Sequence, residues 1–382
     1  MSKIFKLTSA LRSLYYSIAA FIVGFSLFPE TRRFFEEMDA SWLYILGNAL
    51  GVTALCVPII KKAAIEFNIV DKPNARKVHE NVTPLVGGIA VFIAFLVSLF
   101  LNQFFSDELK AIAFAGLLIV IVGVFDDAKG LSASIRLATQ LAASGILIYF
   151  GIQINLFAEF GLIGEIADIL ITLLWLIGIT NAFNFFDGLD GLATGMAVVM
   201  ASFFALVGIR SGQVFLSFVS VALAGSCLGF IPYNFKKTAN ASIFLGDTGS
   251  TFIGFTLASL AIFGEWSKNE PLKSLTIPIL IMSVVIFDMI YITISRFYTG
   301  KVSSFKEWLD YVGRDHLHHR LMSLGLSKRQ AVFFIYFLCI LLGLIAILLK
   351  RGETIDVLIS LATATLIYLL ITILMIFGNT KR

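Results

Sequence analysis

ILITLLWLIGITNAFNFFDGLDGLATG, residues 169–195, opens as an apolar run and closes in a cluster of amides, carboxylates and glycines. The run extends over about 166–183, near the roughly 20 apolar residues that a helix needs to cross a hydrocarbon core. Asn181, Asn184 and Asp187 then recur at every third position and share one face if the helix continues. Gly188 and Gly191 break it and let a ligand approach the backbone closely. A plain helix-to-helix turn explains Asp and Gly, but not two preceding Asn at a membrane boundary. The stretch reads as a spanning helix that delivers polar groups to one face of a bilayer.

The rest of the chain repeats the first half of that pattern. Of 382 residues, 58% are hydrophobic and 14% charged, and the mean hydropathy is +0.91; a soluble domain is about 25% charged. A water-soluble globular enzyme is excluded, and so is disorder, which needs few apolar residues and high net charge. Further apolar runs lie at about 14–28, 43–60, 86–105, 111–125, 135–152, 191–209, 213–232, 250–265, 274–295, 331–349 and 355–377. The expected class is all-α: a polytopic integral membrane protein with about 11–12 transmembrane helices and its active site in cytoplasmic loops. Residues 1–382 read as one membrane domain, with an extra N-terminal apolar segment at 14–28, short enough to lie along the interface, and a large loop at 296–330. No small-residue cleavage site follows the first run, so residue 1 reads as mature. Cys56, Cys227 and Cys339 fall inside apolar runs without metal-ligand spacing and read as small buried hydrophobes.

With the N-terminus inside, more than two-thirds of the 29 Lys and Arg fall in inside segments, so both termini are expected in the cytoplasm. The net charge of +4 then faces anionic headgroups. No basic stripe with interleaved aromatics points to a nucleic acid.

Unusual polar residues gather in five of these inside segments. VDKPNARKVHENVTPLVGG, 70–88, places Arg76, Lys77 and His79 within four positions, before Pro84 and the pair Gly87, Gly88, and would suit a phosphate. GLLIVIVGVFDD, 116–127, ends in Asp126 and Asp127, followed by Lys129 and Arg136. Carboxylates at a helix C-terminus oppose the dipole, so a metal, a cation or proton transfer must explain them. The third segment is the Asn181–Gly195 stretch. FLGDTGS, 244–250, sets Asp247 between Gly246 and Gly249 at the start of an apolar run, an oxygen ligand where a helix N-terminus favours phosphate. Such donors beside a phosphate suit Mg²⁺, which binds through one or two carboxylates and the substrate itself, with Mn²⁺ the alternative. DHLHHRL, 315–321, supplies imidazoles that hydrogen-bond phosphate or sugar oxygens; without carboxylate or Cys partners nearby, zinc is the lesser reading. Asp288, alone in its run, either pairs with Arg296 or lines a cavity.

Together these clusters suit chemistry on a phosphate or diphosphate, with one substrate resident in the membrane and the other a soluble nucleotide. A lipid-phosphate transporter is the competing class, but transporters place such groups near the midplane, whereas these sit at one face.

The motifs DxPxxRKxHxxxxPxxGG at Asp71–Gly88, Asp126-Asp127, NxxNxxDGxDGL at Asn181–Leu192, FxGDxGS at Phe244–Ser250 and HxHH at His316–His319 resemble, in order, those of the polyprenyl-phosphate N-acetylhexosamine-1-phosphate transferase superfamily, glycosyltransferase family 4. The likeness covers about residues 43–349. HLHHRL, and IFD…ISR at Ile286–Arg296, resemble the bacterial branch that uses UDP-GlcNAc; the branch that transfers phospho-MurNAc-pentapeptide shows three consecutive histidines, which Leu317 interrupts here. The chain departs from the family pattern in its 14–28 segment and in the insert KVSSFKEWLDYVG, 301–313.

The resemblance implies that undecaprenyl phosphate attacks the β-phosphorus of UDP-GlcNAc, giving undecaprenyl diphosphate-GlcNAc and UMP, an early membrane step of cell-envelope glycan synthesis such as lipopolysaccharide or teichoic acid. Another UDP-HexNAc, UDP-MurNAc-pentapeptide included, is the enzymatic alternative. Carried over motif by motif, Asp247 is a ligand of Mg²⁺ with Asn184 as second ligand. Asp126, Asp127 and Asp187 are the catalytic carboxylates, Asp126 matching the proposed base. Phe244 and Asp190 match positions that hold uracil, and Asn181, Lys77, His79, His316, His318, His319 and Arg320 contact substrate. A phosphate monoester has a second pKa of about 6, so the acceptor hardly needs a base, and adjacent helical residues diverge by roughly 100°, so one of Asp126 and Asp127 faces the substrate. The expected partners are the UDP-sugar, undecaprenyl phosphate and membrane lipids, with no nucleic acid; a homodimer in the bacterial cytoplasmic membrane is the expected setting.

Overall fold

The computed structural model describes residues 2–71, 82–236, 240–267, 270–304, 307–308, 311, 313–350 and 352–379. Its helices are α1 (Ser2–Ser26), α2 (Pro29–Glu37), α3 (Ser41–Glu66), α4 (Gly88–Leu101), α5 (Asp107–Lys129), α6 (Ala133–Tyr149), α7 (Gly161–Phe185), α8 (Leu192–Ser211), α9 (Val214–Asn234), α10 (Gly246–Phe263), α11 (Pro271–Ile281), α12 (Ser283–Tyr298), α13 (Leu317–Ser323), α14 (Lys328–Leu349) and α15 (Thr354–Asn379). Among the described residues, strands are confined to an antiparallel ladder of Val70–Asp71 with Thr83–Pro84.

Each apolar run of the sequence is helical, yet the number of full spans is smaller. Among the described residues seven helices are long and apolar enough to cross a membrane, and nine if α1–α2 and α11–α12 each count as one bent span. The other three runs are α4, α6 and α10, of 14, 17 and 18 residues. At 1.5 Å per residue these cover roughly 21–27 Å, short of a hydrocarbon core of about 30 Å, and α10 spends its first turn on GDTGS. The multi-pass all-α class stands. The 14–28 segment lies within α1, which packs along α3; the chain then bends by 86° into α2.

The most enclosed spans are α8 and α9, and α10 beside them is buried along nearly its whole length. Small residues bring the backbones together, the usual device where lipid offers no hydrophobic drive between helices. On α9, Gly225 and Gly229 lie one turn apart, and a Cβ there would come within 2.8 Å of the Leu46 carbonyl oxygen and 2.5 Å of that of Leu50 on α3. Leu, Ile and Phe face outward from α7 and α15, among them Leu170, Leu174, Leu366 and Leu370, as lipid contact requires.

Polar contacts tie the two ends of the bundle differently. At one end, the Tyr44 hydroxyl donates to the carbonyls of Ser26 and Leu101, Gln213 exchanges hydrogen bonds with the backbone of Glu265, and buried Lys273 meets Glu270 and the Gly352 carbonyl. The motif residues lie at the other end. One break in the bundle shapes that end: α11 and α12 meet at 82°. The break falls at Met282, between Ile281 and Ser283. The bend lays α12 against α7.

Candidate active site

Asp126 and Asp127 end α5 side by side and do different things. Asp127 turns toward the start of α10, where its Oδ1 accepts from the Asp247 N–H at 2.8 Å and its Oδ2 accepts from the Thr248 N–H at 3.1 Å and the Thr248 hydroxyl at 2.6 Å. The carboxylate that opposes the dipole of its own helix thus satisfies the orphan donors of another. Gly246 makes this possible: it sits at φ +75°, and a Cβ would lie 2.4 Å from Asp127 Oδ2. The preceding strand-like segment is held by Gly87 and Gly88, whose N–H groups donate to the Phe244 and Leu245 carbonyls, while the Phe244 N–H donates to Pro84. Gly88 abuts Gly249, with no room for a side chain between. The glycine pair of the first motif is therefore the seat of the fourth.

Asp126 faces the other way, into a cavity of about 520 Å³ between α5, α6, α7 and α12. Its Oδ1 accepts from the Leu131 N–H at 2.7 Å, and Arg136 Nη1 lies 3.6 Å from its Oδ2. The cavity is a groove of two characters. Ile119, Leu173, Ile177, Met289, Ile290 and Ile294 form apolar walls, and Asp126, Arg136, Gln140, Asn181, Asn184 and Asp247 supply polar lining.

Asn184 connects the third and fourth motifs. Its Nδ2 donates to Asp247 Oδ1 at 2.7 Å and to the Ser250 hydroxyl at 2.8 Å, and the Asp247 carboxyl also meets that of Asp126. Asp187 lies beside them, half-buried. Burial above all, then the charges of Asp247, Asp127 and Asp190, pushes its carboxyl well above the usual range, against a hydrogen bond from the Gly246 backbone. Such crowding of carboxylates is the donor chemistry of a hard dication. Mg²⁺ takes one or two carboxylates and fills its shell from substrate and water, donors that Asp247 beside the Asn184 amide could supply; among the described residues no three carboxylate, imidazole or thiol groups gather.

Asn181 is one turn up the same face, but its side chain is paired. It donates to Gln140 Oε1 at 2.7 Å and accepts from Gln140 Nε2 at 3.2 Å. Gln140 has no cue in the sequence, because a lone Gln in an apolar run gives no pattern. Asp190 Oδ2 accepts from the Ala241 N–H at 2.9 Å, and Gly191 is fixed by Asn234 Oδ1, so the DGLDGL loop is tied to the segment leading to Phe244. The Phe244 ring is half-buried at that junction.

The histidine motif is anchored by two buried polar pairs, neither of which is Asp288 with Arg296. Asp288 Oδ2 is 2.7 Å from His316 Nδ1, and its Oδ1 accepts from the Leu317 N–H at 2.6 Å. Arg296, 1% exposed, grips Asp315 with two hydrogen bonds of 2.9 and 2.7 Å. Two turns separate Asp288 and Arg296 on one helix, and each reaches the incoming loop more easily than the other. His318 is buried, with ring contacts to His316, His319 and Phe186, and faces Gly188. Burial, then His319 and His316, holds its imidazole well below the usual histidine range, so it is neutral; His319 is lowered for similar reasons. Arg320 is occupied by the Asp315 carbonyl at 2.6 Å and the Tyr291 hydroxyl at 3.2 Å, and lies over the Tyr291 ring. Lys77 and His79 lie outside the described residues. The three cysteines are free thiols.

Residues 109–265 match the family model described as glycosyl transferase family 4. A probable undecaprenyl-phosphate N-acetylglucosaminyl 1-phosphate transferase of Bacillus subtilis is 35% identical over 78% of this chain and 82% of its own. The undecaprenyl-phosphate alpha-N-acetylglucosaminyl 1-phosphate transferase of Yersinia pestis is 32% identical over 82% and 85%. The decaprenyl-phosphate N-acetylglucosaminephosphotransferase of Mycobacterium leprae is 32% identical over 75% and 78%.

Proposed function

Because the chain belongs to glycosyl transferase family 4, we propose that it transfers N-acetylglucosamine 1-phosphate from UDP-GlcNAc to undecaprenyl phosphate and releases UMP. The observation that carries this reading is the single groove that joins apolar walls to Asp126, Arg136, Asn184 and Asp247. An acceptor that is both hydrocarbon and phosphate fits such a groove; a wholly soluble substrate does not need the first half. The Lys and Arg bias of the loops supports placing this end at the cytoplasmic face of the bacterial inner membrane, where UDP-sugars are made.

In the reaction an acceptor phosphate oxygen forms a bond to the β-phosphorus of UDP-GlcNAc while the bridging oxygen leaves with UMP. The acceptor is mostly dianionic near neutral pH, so its need is charge neutralisation, and Arg136 supplies it. Asp126 holds Arg136 at the groove and is itself held by Leu131. Asp127 fixes the α10 N-terminus so that Asp247 meets Asn184. Asp247 and Asn184 would hold Mg²⁺, which when bound neutralises diphosphate charge and stabilises the departing oxygen. On the donor side, Asp190 and Phe244 would take the uracil, Asp190 being tied to the Ala241 N–H through one oxygen, and the neutral His318 and its neighbours beside the DGLDGL loop would hydrogen-bond diphosphate or sugar.

The test incubates the purified chain with undecaprenyl phosphate, Mg²⁺ and each UDP-sugar in turn. UMP release with UDP-GlcNAc is the expected result, and no UMP with any sugar overturns the reading.

A further inference from the structure

Described residues toward both ends of the insert at 301–313, which departs from the family pattern, are held by contacts. Val302 is buried. Ser303 donates to Glu307 through its N–H at 2.7 Å and its hydroxyl at 2.8 Å, and the Glu307 N–H donates to the Ser304 hydroxyl. Beyond, the Tyr311 ring covers the Arg296 guanidinium at 4.7 Å, and Arg296 holds Asp315. Between these anchors the Trp308 backbone N–H donates to the Ser304 carbonyl at 2.9 Å, and the half-buried Trp308 side chain lines the acceptor groove. The other groove residues belong to α5, α6, α7, α10 and α12; Trp308 alone among the described lining residues comes from the loop.

Its place along the groove follows from the loop's origin. The loop comes from the site end of the bundle, and Trp308 lines the same cavity as Ala133 and Arg136 in the first turn of α6. The charged groups that would hold the acceptor phosphate are at that same end, so the first isoprene units must lie where the polar and apolar linings meet. A Trp ring is suited to such a boundary, because it offers a large apolar face and one polar N–H.

Resting on the transferase reading above, we propose that Trp308 is a positioning residue for the acceptor, closing the groove over the first isoprene units of a polyprenyl phosphate so that its phosphate stays at Arg136. The contact is with hydrocarbon next to the reacting group, not with the nucleotide or the distal tail.

Three forms of the full chain test it: wild type, Trp308→Ala and Trp308→Phe, each assayed by UMP release. Trp308→Ala is expected to raise the KM for undecaprenyl phosphate about tenfold while the KM for UDP-GlcNAc changes by less than about twofold, and Trp308→Phe to recover most of the loss. Farnesyl phosphate, which carries only the first isoprene units, should suffer the same factor as the long acceptor. An unchanged acceptor KM, an equal rise in the donor KM, or a penalty confined to the long acceptor would overturn the proposal. Binding is read separately from turnover by thermal stabilisation with farnesyl phosphate, which should require about tenfold more ligand in Trp308→Ala. If wild type releases no UMP but this difference persists, the transfer reaction falls and the Trp308 contact stands. If the two forms are stabilised alike, the Trp308 contact falls.

Discussion

Asp127 caps the helix that Asp247 opens: its Oδ1 accepts the Asp247 N–H at 2.8 Å, while the adjacent Asp126 faces the groove. Two neighbouring carboxylates therefore differ in what their loss should do. Asp127→Asn keeps an acceptor but puts an amide against one of three donors, and a lost charged cap of this kind costs about 1–3 kcal/mol. A lower apparent Tm together with weakened activity is expected. Asp126→Asn should leave Tm nearly unchanged and raise the acceptor KM through Arg136. Thermal melts beside acceptor titrations separate the two; equal Tm losses would refute the division.

The proposed metal pair makes a second expectation. Asp247→Asn removes the one charged ligand and should lower turnover by about a hundredfold or more, the size seen when one group stabilising transition-state charge is lost. EDTA should abolish UMP release in the wild type and excess Mg²⁺ restore it. Asn184→Ala should shift the Mg²⁺ concentration for half-maximal activity upward without removing activity altogether. Turnover in EDTA would dismiss the metal role.

These arrangements mark the limit of what the sequence discloses. The twelve apolar runs are all helical, because the length and composition of a run in lipid leave one backbone solution. That the motifs meet at one end follows from the alternation of spans. Which of Asp126 and Asp127 turns inward does not: the 100° between neighbours says that they part, and only the position of α10 says which way. The pairs Arg296–Asp315 and Asp288–His316 were equally hidden, since the spacing on α12 is visible while the partner loop folds back from 19 to 29 residues away. Gln140 with Asn181, 41 residues apart, gives no local signal at all. The 82° bend at Met282 has no cue in the apolar run at 274–295, which reads as one span.

The Arg296–Asp315 pair has a pH signature. Burial alone would raise the Asp315 carboxyl, but the Arg296 hydrogen bonds and charge, with His316 and Lys301, hold it below the usual carboxylate range. A depressed folded-state pKa stabilises above the unfolded value of about 3.9, and the stabilisation disappears as pH falls through the lower folded value. Docking of the histidine loop should thus be indifferent to pH from 7 to about 5 on this account and fail only in strong acid. Arg296→Met leaves a buried carboxylate unpaired and should cost about 3–5 kcal/mol; limited proteolysis within 299–313 at neutral pH would report it, and unchanged cleavage would contradict the anchoring role.

His318 titrates with the opposite charge bookkeeping. Its folded-state pKa lies well below 6.5 through burial and the neighbouring His319 and His316, so the unfolded chain takes up this proton first as pH falls. Its contribution to stability is present in full above about 6.5 and is lost progressively toward the depressed folded value. Asp187, raised by burial and neighbouring carboxylates, slopes the other way, so the difference between wild type and His318→Asn is the quantity to measure. That difference in Tm should shrink between pH 7 and 5. The contact itself is tested by Gly188→Ala, whose Cβ would stand 2.6 Å from His318 Nε2 and must displace the ring. Activity should fall in Gly188→Ala, whereas Gly145→Ala, with open space at its Cβ, should be tolerated or stabilise its helix by up to about 1 kcal/mol. If Gly188→Ala retained full activity, His318 would have no part in shaping the site.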